Sequence, residues 1–327
     1  MNIGITLGDI AGIGPEVVVK ALASGKLSRR AKYCIIGDVG VATKTSRKLG
    51  VDLKTPVFAA DESLDLESVK PGVVSSVASR AAADWIRLGV QLHRRGAIHA
   101  LVTAPVNKQG LALAGVKHSG QTEWLAELTR TKKFAMMLVG GKLRVALVTT
   151  HLPLREVSRS ISRKKIVEVI ELTHAVLPRF GTTKRRIGVA ALNPHAGDGG
   201  LLGNEENKII APAVADARRK KINAVGPVPA DTLFHRAYEG EFDAVVAMYH
   251  DQGLAPLKML AFDTGVNVTL GLPFIRTSPD HGTAYDIAGK GIANPTSMIE
   301  AINLAVKLIR SESKLQLASS LDKGLHT

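Results

Sequence analysis

The sequence predicts an α/β protein built on largely parallel strands, and three observations carry that expectation. Short apolar runs alternate with helix-like segments along all 327 residues. The runs are apolar throughout rather than at every second position, as strands covered by helices on both faces must be. Hydrophobic residues make up 45% of the chain but aromatics only 4%, so the core is aliphatic.

The strand-like runs are IGITLG at 3–8, YCIIGD at 33–38, ALVTAPV at 100–106, RVALVTTH at 144–151, IGVAALNPH at 187–195, DAVVAMYHD at 243–251 and VNVTLGLP at 266–273. The helix after the first run starts at Gly14-Pro15-Glu16, with proline where a helix leaves an N–H unused and an acid in the first turn. In RKKIVEVIELTHAVLPRFG, apolar residues at 166, 167, 169, 170, 172, 176 and 177 form one helical face, stopped by Pro178 and Gly181. The tail SKLQLASSLDKGLHT is weakly patterned and is expected to fray. The length suits two α/β/α lobes with an intervening cleft. No long linker separates them, so they are expected to interweave: 1–128 plus 268–327 as the first lobe, 129–267 as the second.

The single cysteine, Cys34, lies in an apolar run and excludes a disulfide framework. No 18-residue apolar stretch and no signal-peptide pattern occurs, so the expectation is a cytoplasmic protein with no membrane role. The net charge of +14 raises the question of nucleic acid. Its basic clusters (26–32, 159–165, 184–186 and 218–221) are scattered and lack interleaved aromatics for base stacking, so no nucleic-acid partner is expected. A field that steers an anionic small molecule needs no more than this.

Three histidines share one context. His151, His195 and His250 each close a strand-like run, and ligands of open α/β sheets gather at those ends. One such histidine reads most simply as a hydrogen-bonded core residue. Their threefold recurrence sets a metal site beside that reading, and three imidazoles without thiolates suit zinc, cobalt or nickel with open positions. Lys258, Asn267 and Arg276 follow His250, and a lysine with an arginine fork is what a phosphate or carboxylate needs. Solvated surface charge is the alternative, least comfortable for Arg276 in GLPFIRTS. The glycine-rich GDIAGIGPE at 8–16 matches neither a Rossmann fingerprint nor a P-loop, leaving a tight turn or a site-lining role open. NPHAGDGGLLGNEE at 193–206 flanks His195 with glycines, and its acids either cap a helix or serve the site.

These segments, with TAPVNK at 103–108, TTHLPL at 149–154, GPVPADTLF at 226–234, MYHDQGLAPLK at 248–258 and VNVTLGLPFIRTSPDHGTAYDIAG at 266–289, resemble the 4-hydroxythreonine-4-phosphate dehydrogenase family of pyridoxal phosphate biosynthesis and its paralogues. The resemblance covers essentially the whole chain. It implies one divalent ion per subunit (zinc, cobalt or magnesium) held by His151, His195 and His250. It also implies a homodimer with the site at the interface, so that a ligand can come from the partner subunit. Substrate contacts would come from Thr122, Lys258, Asn267 and Arg276, with Asp231 near the metal. HGTAYDIAGKGIANP at 281–295 is similar to the nucleotide-binding loop of isopropylmalate and isocitrate dehydrogenases. That similarity sets His281, Gly282, Asp286 and Asn294 around the adenosine half of NAD or NADP.

The chemistry implied is oxidation of a secondary hydroxyl by nicotinamide, here in 4-phosphohydroxy-L-threonine, giving a β-keto acid that decarboxylates. Asp231 and Lys108 are the candidate bases, with a metal-bound water as the alternative. The family pattern G-H-T-E reads Gly120-Gln121-Thr122-Glu123 here, so a substrate-contacting histidine is replaced by a glutamine that cannot carry charge. Ile10 stands where proline is usual. Gln121 therefore keeps the paralogues' substrates open: 4-phospho-D-threonate, 4-phospho-D-erythronate and a terephthalate cis-dihydrodiol.

Overall fold

The computed structural model of the protein describes residues 1–60, 65, 68–118 and 120–324. Its first elements are β1 (Asn2–Thr6), α1 (Gly14–Ala23), β2 (Lys32–Ile36), α2 (Val39–Leu49), β3 (Val57–Phe58), α3 (Ser76–Arg94), β4 (Ala100–Thr103), α4 (Lys108–Leu113) and α5 (Gln121–Leu128). Next come β5 (Ala135–Gly140), β6 (Leu143–Leu147), α6 (Leu154–Ser160), α7 (Arg163–Val176), β7 (Ile187–Ala190), α8 (Ala211–Arg219) and β8 (Ala224–Val228). The chain finishes with α9 (Ala230–Tyr238), β9 (Ala244–Ala247), α10 (His250–Ala261), β10 (Val266–Leu270), β11 (Ile275–Pro279) and α11 (Thr296–Gly324). The weak patterning of the tail does not stop α11 before Gly324, and 325–327 lie outside the described residues.

Contacts divide the chain into one unit of Met1–Lys132 with Leu272–Ile309 and another of Lys133–Gly271 with Arg310–Thr327. In the first unit the strand order is β3-β2-β1-β4-β11 and every pair is parallel. The chain steps outward from β1 to β2 and later returns to lay β4 on the other side. That reversal opens a crevice at the carboxyl ends of β1 and β4, where α/β sheets bind ligands. Both strands are buried nearly throughout, which is why their sequences read as continuous apolar runs.

In the second unit the order is β10-β5-β6-β9-β7-β8. The β6, β9, β7 and β8 pairings are parallel, while β5 runs antiparallel to both β6 and β10. The sequence pattern marks β6 of the β5–β6 hairpin but not β5. The hairpin's turn at Gly141, with φ of 55°, is the local signal that marks it. As the sequence pattern requires, α1 begins at Gly14 with proline in its first turn, and α7 passes into a 3₁₀ turn at Leu177–Phe180 that Gly181 ends in the left-handed conformation.

Helix α10 lies directly on its sheet. A Cβ on Gly253 would come within 2.7 Å of Val145 Cγ1, so glycine sets the approach distance. Leu254 and Leu257 complete the contact in a cluster with Val145, Leu147, Leu233, Val245 and Ala247. Because Leu257 is fully buried, Leu257→Ala should lower stability by about 2–5 kcal/mol through lost burial and a residual cavity. Denaturant unfolding followed by circular dichroism measures this, and a loss below about 1 kcal/mol would mean α10 is not anchored as described.

Candidate functional site

The three expected metal ligands follow three adjacent strands. His151 comes after β6, His250 after β9 and His195 after β7, and these strands neighbour one another in the order β6-β9-β7. None of the three lies within a strand: His250 is the first residue of α10, and the other two sit in the turns beyond their strands. The His151 and His250 rings lie 5.6 Å apart between centroids. His250 pairs its Nδ1 with Asp251 Oδ1 at 2.7 Å, the carboxylate–imidazole arrangement that frees Nε2 to face a metal. Among the described residues no group of three His, Cys, Asp or Glu side chains stands close enough to share one ion. The chain therefore brings two of the three imidazoles together, and His195 is not part of that pair.

His195 is held by an unusual backbone. Residues 195–199 all adopt positive φ (50°, 55°, 78°, 42° and 67°), a left-handed turn that only its two glycines enter without strain. Glu206 fastens this turn to the end of β7. Its carboxylate is 2% exposed and accepts from the backbone N–H groups of Leu192 at 2.8 Å and Asn193 at 2.7 Å, and from the Asn193 side-chain amide at 2.9 Å. Glu205 takes the same amide at 2.8 Å and the Ser158 hydroxyl at 2.5 Å, and these bonds hold its carboxyl below the usual range. The acids of GNEE thus position the turn that carries His195, and they cap no helix through their side chains.

In the first unit a cradle of polar side chains forms around Arg276, on β11 and 2% exposed. Its guanidinium donates to Thr103 Oγ1 at 2.7 and 3.1 Å, to Gln121 Oε1 at 3.3 Å and, at the limit of bonding distance, to Thr122 Oγ1 at 3.5 Å. Burial pushes its pKa down to about 10 while the field of Glu123 opposes the fall, so it stays cationic at neutral pH. Beside it α5 starts at Gln121 with no side-chain cap, because Gly120 precedes it, leaving the helix amides available to an anion. Gln121 also donates its amide to the Ala104 carbonyl at 3.1 Å, so both ends of the carboxamide are committed. Thr103, at the end of β4, was missed as a contact. The motif TAPVNK contains Thr103, but its partner lies 173 residues away, beyond any local pattern.

Other candidates are placed more loosely. Asn267 lies on β10 with its Oδ1 buried and without a hydrogen-bond partner among the described residues, an acceptor left unused by the protein. Lys258 lies on α10 with its Nζ 5.8 Å from the centre of the Phe262 ring. Asp231 and Lys108 are exposed in the first turns of α9 and α4. In the 281–295 segment, His281 Nδ1 approaches the Gly282 carbonyl at 3.1 Å, and Asp286 sits exposed in a single 3₁₀ turn. Asn294 Oδ1 accepts from the backbone and hydroxyl of Thr296, capping α11. A pocket of about 180 Å³ adjoins this segment, lined by Ile10, Pro15, Lys44, Lys48, Gly289 and Gly291 among others.

Two α/β units, the second with histidines just beyond three adjacent strands, form an enzyme whose relatives are dehydrogenases. The family model for pyridoxal phosphate biosynthetic protein PdxA matches residues 26–305, and the chain belongs to that family. It is 46% identical over 326 residues to the D-threonate 4-phosphate dehydrogenase of Pectobacterium atrosepticum, covering 94% of this chain and 98% of that one. To the 4-hydroxythreonine-4-phosphate dehydrogenase of Geobacter metallireducens it is 44% identical over 327 residues, covering 94% and 96%. The crystal structure of 4-hydroxythreonine-4-phosphate dehydrogenase from Klebsiella pneumoniae superposes with a TM-score of 0.85 at 43% identity, over 94% of this chain and 98% of that one. A β-decarboxylating dehydrogenase of Thermococcus kodakarensis, 13% identical at a TM-score of 0.50 over 95% and 83%, shares the fold.

Two outcomes follow from this geometry. Arg276→Ala should lower kcat/KM for a phosphorylated substrate by at least about a hundredfold, with Arg276→Lys intermediate because lysine cannot reproduce the fork. Steady-state kinetics measures both, and equal activity of Arg276→Ala and wild type would remove Arg276 from the site. Glu206→Gln turns one of the two acceptor oxygens into an amide donor that must face either the Asn193 side-chain amide or the two backbone N–H groups, so stability should fall by about 1–3 kcal/mol. A thermal melt reads this directly, and an unchanged melting temperature would mean Glu206 does not hold the turn.

Proposed function

We propose that the protein is a divalent-metal- and NAD-dependent dehydrogenase that oxidises the secondary hydroxyl of 4-phosphohydroxy-L-threonine. The β-keto acid formed loses CO₂ to give 3-amino-2-oxopropyl phosphate, a step of pyridoxal 5′-phosphate biosynthesis. The observation that carries this reading is the Arg276 cradle, a buried guanidinium among threonine hydroxyls beside an uncapped helix start. That combination suits a phosphate, and the names of the Pectobacterium and Geobacter relatives both specify acids phosphorylated at position 4.

His151, His195 and His250 would hold the metal, which supplies Lewis acidity to the substrate oxygen. The close His151–His250 pair and the Asp251 partner of His250 fit that role. We assign His195 to the site of a second copy in a homodimer. Exposed apolar residues beside all these segments support such an interface: Leu152 and Leu154, Leu201 and Leu202, Met259 and Phe262. Lys258, Asn267 and Thr122 would orient the substrate, and Asp231 or Lys108 would take the hydroxyl proton as hydride leaves the adjacent carbon for the nicotinamide. His281, Gly282 and Asn294 would border the adenosine. Asp286 favours NAD over NADP, because its carboxylate suits ribose hydroxyls and repels a 2′-phosphate. We place the enzyme in the cytoplasm, where its one buried free thiol needs no oxidised partner. No helix among the described residues is long and apolar enough to cross a membrane. Several of the basic clusters are locally paired with acids, as in Arg163 and Arg219 with Asp216, which supports a small anionic partner over nucleic acid.

Gln121 favours a second reading, D-threonate 4-phosphate, which carries a hydroxyl where 4-phosphohydroxy-L-threonine carries an ammonium. A neutral carboxamide already committed to Arg276 and Ala104 has lost the titratable ring of the usual histidine. The deciding experiment is NADH formation by chelator-stripped protein resupplied with zinc, cobalt or magnesium. Metal-dependent turnover fastest on 4-phosphohydroxy-L-threonine supports the first reading. Turnover fastest on D-threonate or D-erythronate 4-phosphate supports the second, and activity on the terephthalate dihydrodiol alone would contradict both.

A further inference from the structure

Asp9 is completely buried, carries no role in the reaction above, and touches three segments that the reaction needs. It stands just past β1, at the crevice between β1 and β4. Its backbone N–H donates to the Pro105 carbonyl at 2.9 Å, and its carboxylate accepts from the Asn107 backbone, next to Lys108. Its Oδ1 accepts from the Ala11 N–H at 2.9 Å, closing the turn of GDIAGIG. Its Oδ2 accepts from the Tyr285 hydroxyl at 2.5 Å, between His281 and Asp286 of the nucleotide segment.

The surrounding backbone interlocks around this bond. Ile13 N–H donates to the Thr283 carbonyl at 3.0 Å, and Gly72 N–H to the Ala11 carbonyl at 2.7 Å. A Cβ on Gly12 would sit 2.7 Å from the Thr283 carbonyl oxygen, so only glycine lets the two loops meet. Farther along the segment, Lys20 Nζ donates to the Gly291 and Ala293 carbonyls at 2.9 and 2.8 Å. Glu16 accepts from the Ala293 N–H at 2.7 Å. The far end of the segment is thus tied through α1, and the end bearing His281 and Asp286 is tied to the first loop by the Tyr285–Asp9 bond beside the Ile13–Thr283 backbone bond.

We infer that Asp9 and Tyr285 form a latch that holds the nucleotide segment in its binding conformation and joins it to the loop preceding Lys108. The inference rests on the reading of 281–295 as the cofactor segment. A hydrogen bond to a buried carboxylate is strong and leaves that carboxylate poorly solvated when broken, so the latch favours one loop conformation. Without it the binding-competent fraction falls, and apparent cofactor affinity falls in proportion. Once the cofactor is bound the loop is in place, and the chemical step proceeds as before.

Tyr285→Phe tests this, because it removes only the hydroxyl. NADH affinity is read by fluorescence titration, and KM for NAD and kcat by steady-state assay, with Asp286→Ala as the companion variant. Expected for Tyr285→Phe is an increase of about tenfold in both the NADH Kd and KM for NAD, with kcat within twofold of wild type. An unchanged Kd in Tyr285→Phe alongside a weakened Asp286→Ala overturns the latch and leaves the cofactor segment standing. Unchanged Kd in both variants removes the cofactor reading and the latch with it. A fall in kcat at saturating NAD with unchanged Kd overturns the latch as well, since that pattern belongs to the chemical step.

Discussion

The arrangement turns on one costly fact: a guanidinium is 2% exposed on a strand of a parallel sheet. Burial disfavours its charge enough to bring the pKa down to about 10, yet leaves it cationic at neutral pH. Its water shell is replaced by the hydroxyls of Thr103 and Thr122 and the amide oxygen of Gln121. These groups come from the end of β4 and the start of α5, so the sheet order that puts β11 beside β4 is what builds the cradle. A buried cation bonded to the oxygens of Thr103, Thr122 and Gln121 is an electrostatic attractor for an anion brought in from water, even with the Glu123 field nearby.

The second unit works by a related rule. Three parallel strands side by side deliver three histidine-bearing turns to one edge, and the pleated backbone keeps neighbouring strand ends about 4.8 Å apart. Sheet geometry thus brings His151 and His250 together, while short hydrogen bonds fix the turn that carries His195. Glu206 holds a turn whose backbone is unfavourable at His195, Ala196 and Asp198, which is the kind of strain that persists only where surrounding bonds over-determine it. In the first unit the buried Asp9 likewise joins two loops, with Tyr285 and Ala11 as its partners.

Much of this was legible in the sequence because it is local. Strands buried on both faces print as apolar runs, so β1, β2, β4, β6, β7, β9 and β10 were visible, as were the histidines just beyond three of them. The proline start of α1 and the Gly181 stop after α7 are likewise local rules. The short β3, β8 with its internal Gly-Pro, the hairpin strand β5 and the polar-looking β11 were missed. What decides those elements is their neighbours. The Arg276–Thr103 and Asp9–Tyr285 bonds join residues 173 and 276 positions apart, and no window along the chain contains both ends. Gln121 is the converse case: its departure from the family pattern was evident at once, while its tie to Arg276 and Ala104 needed the structure.

The central claim is that the buried Arg276 cradle exists to hold the substrate's phosphate. The most direct measurement compares kcat/KM of the wild-type enzyme on 4-phosphohydroxy-L-threonine and on unphosphorylated 4-hydroxy-L-threonine, and likewise on D-threonate 4-phosphate and D-threonate. The account predicts that removing the phosphate costs at least about a thousandfold in whichever pair the enzyme turns over, since the cradle then closes on no anion. Comparable rates with and without phosphate would contradict it.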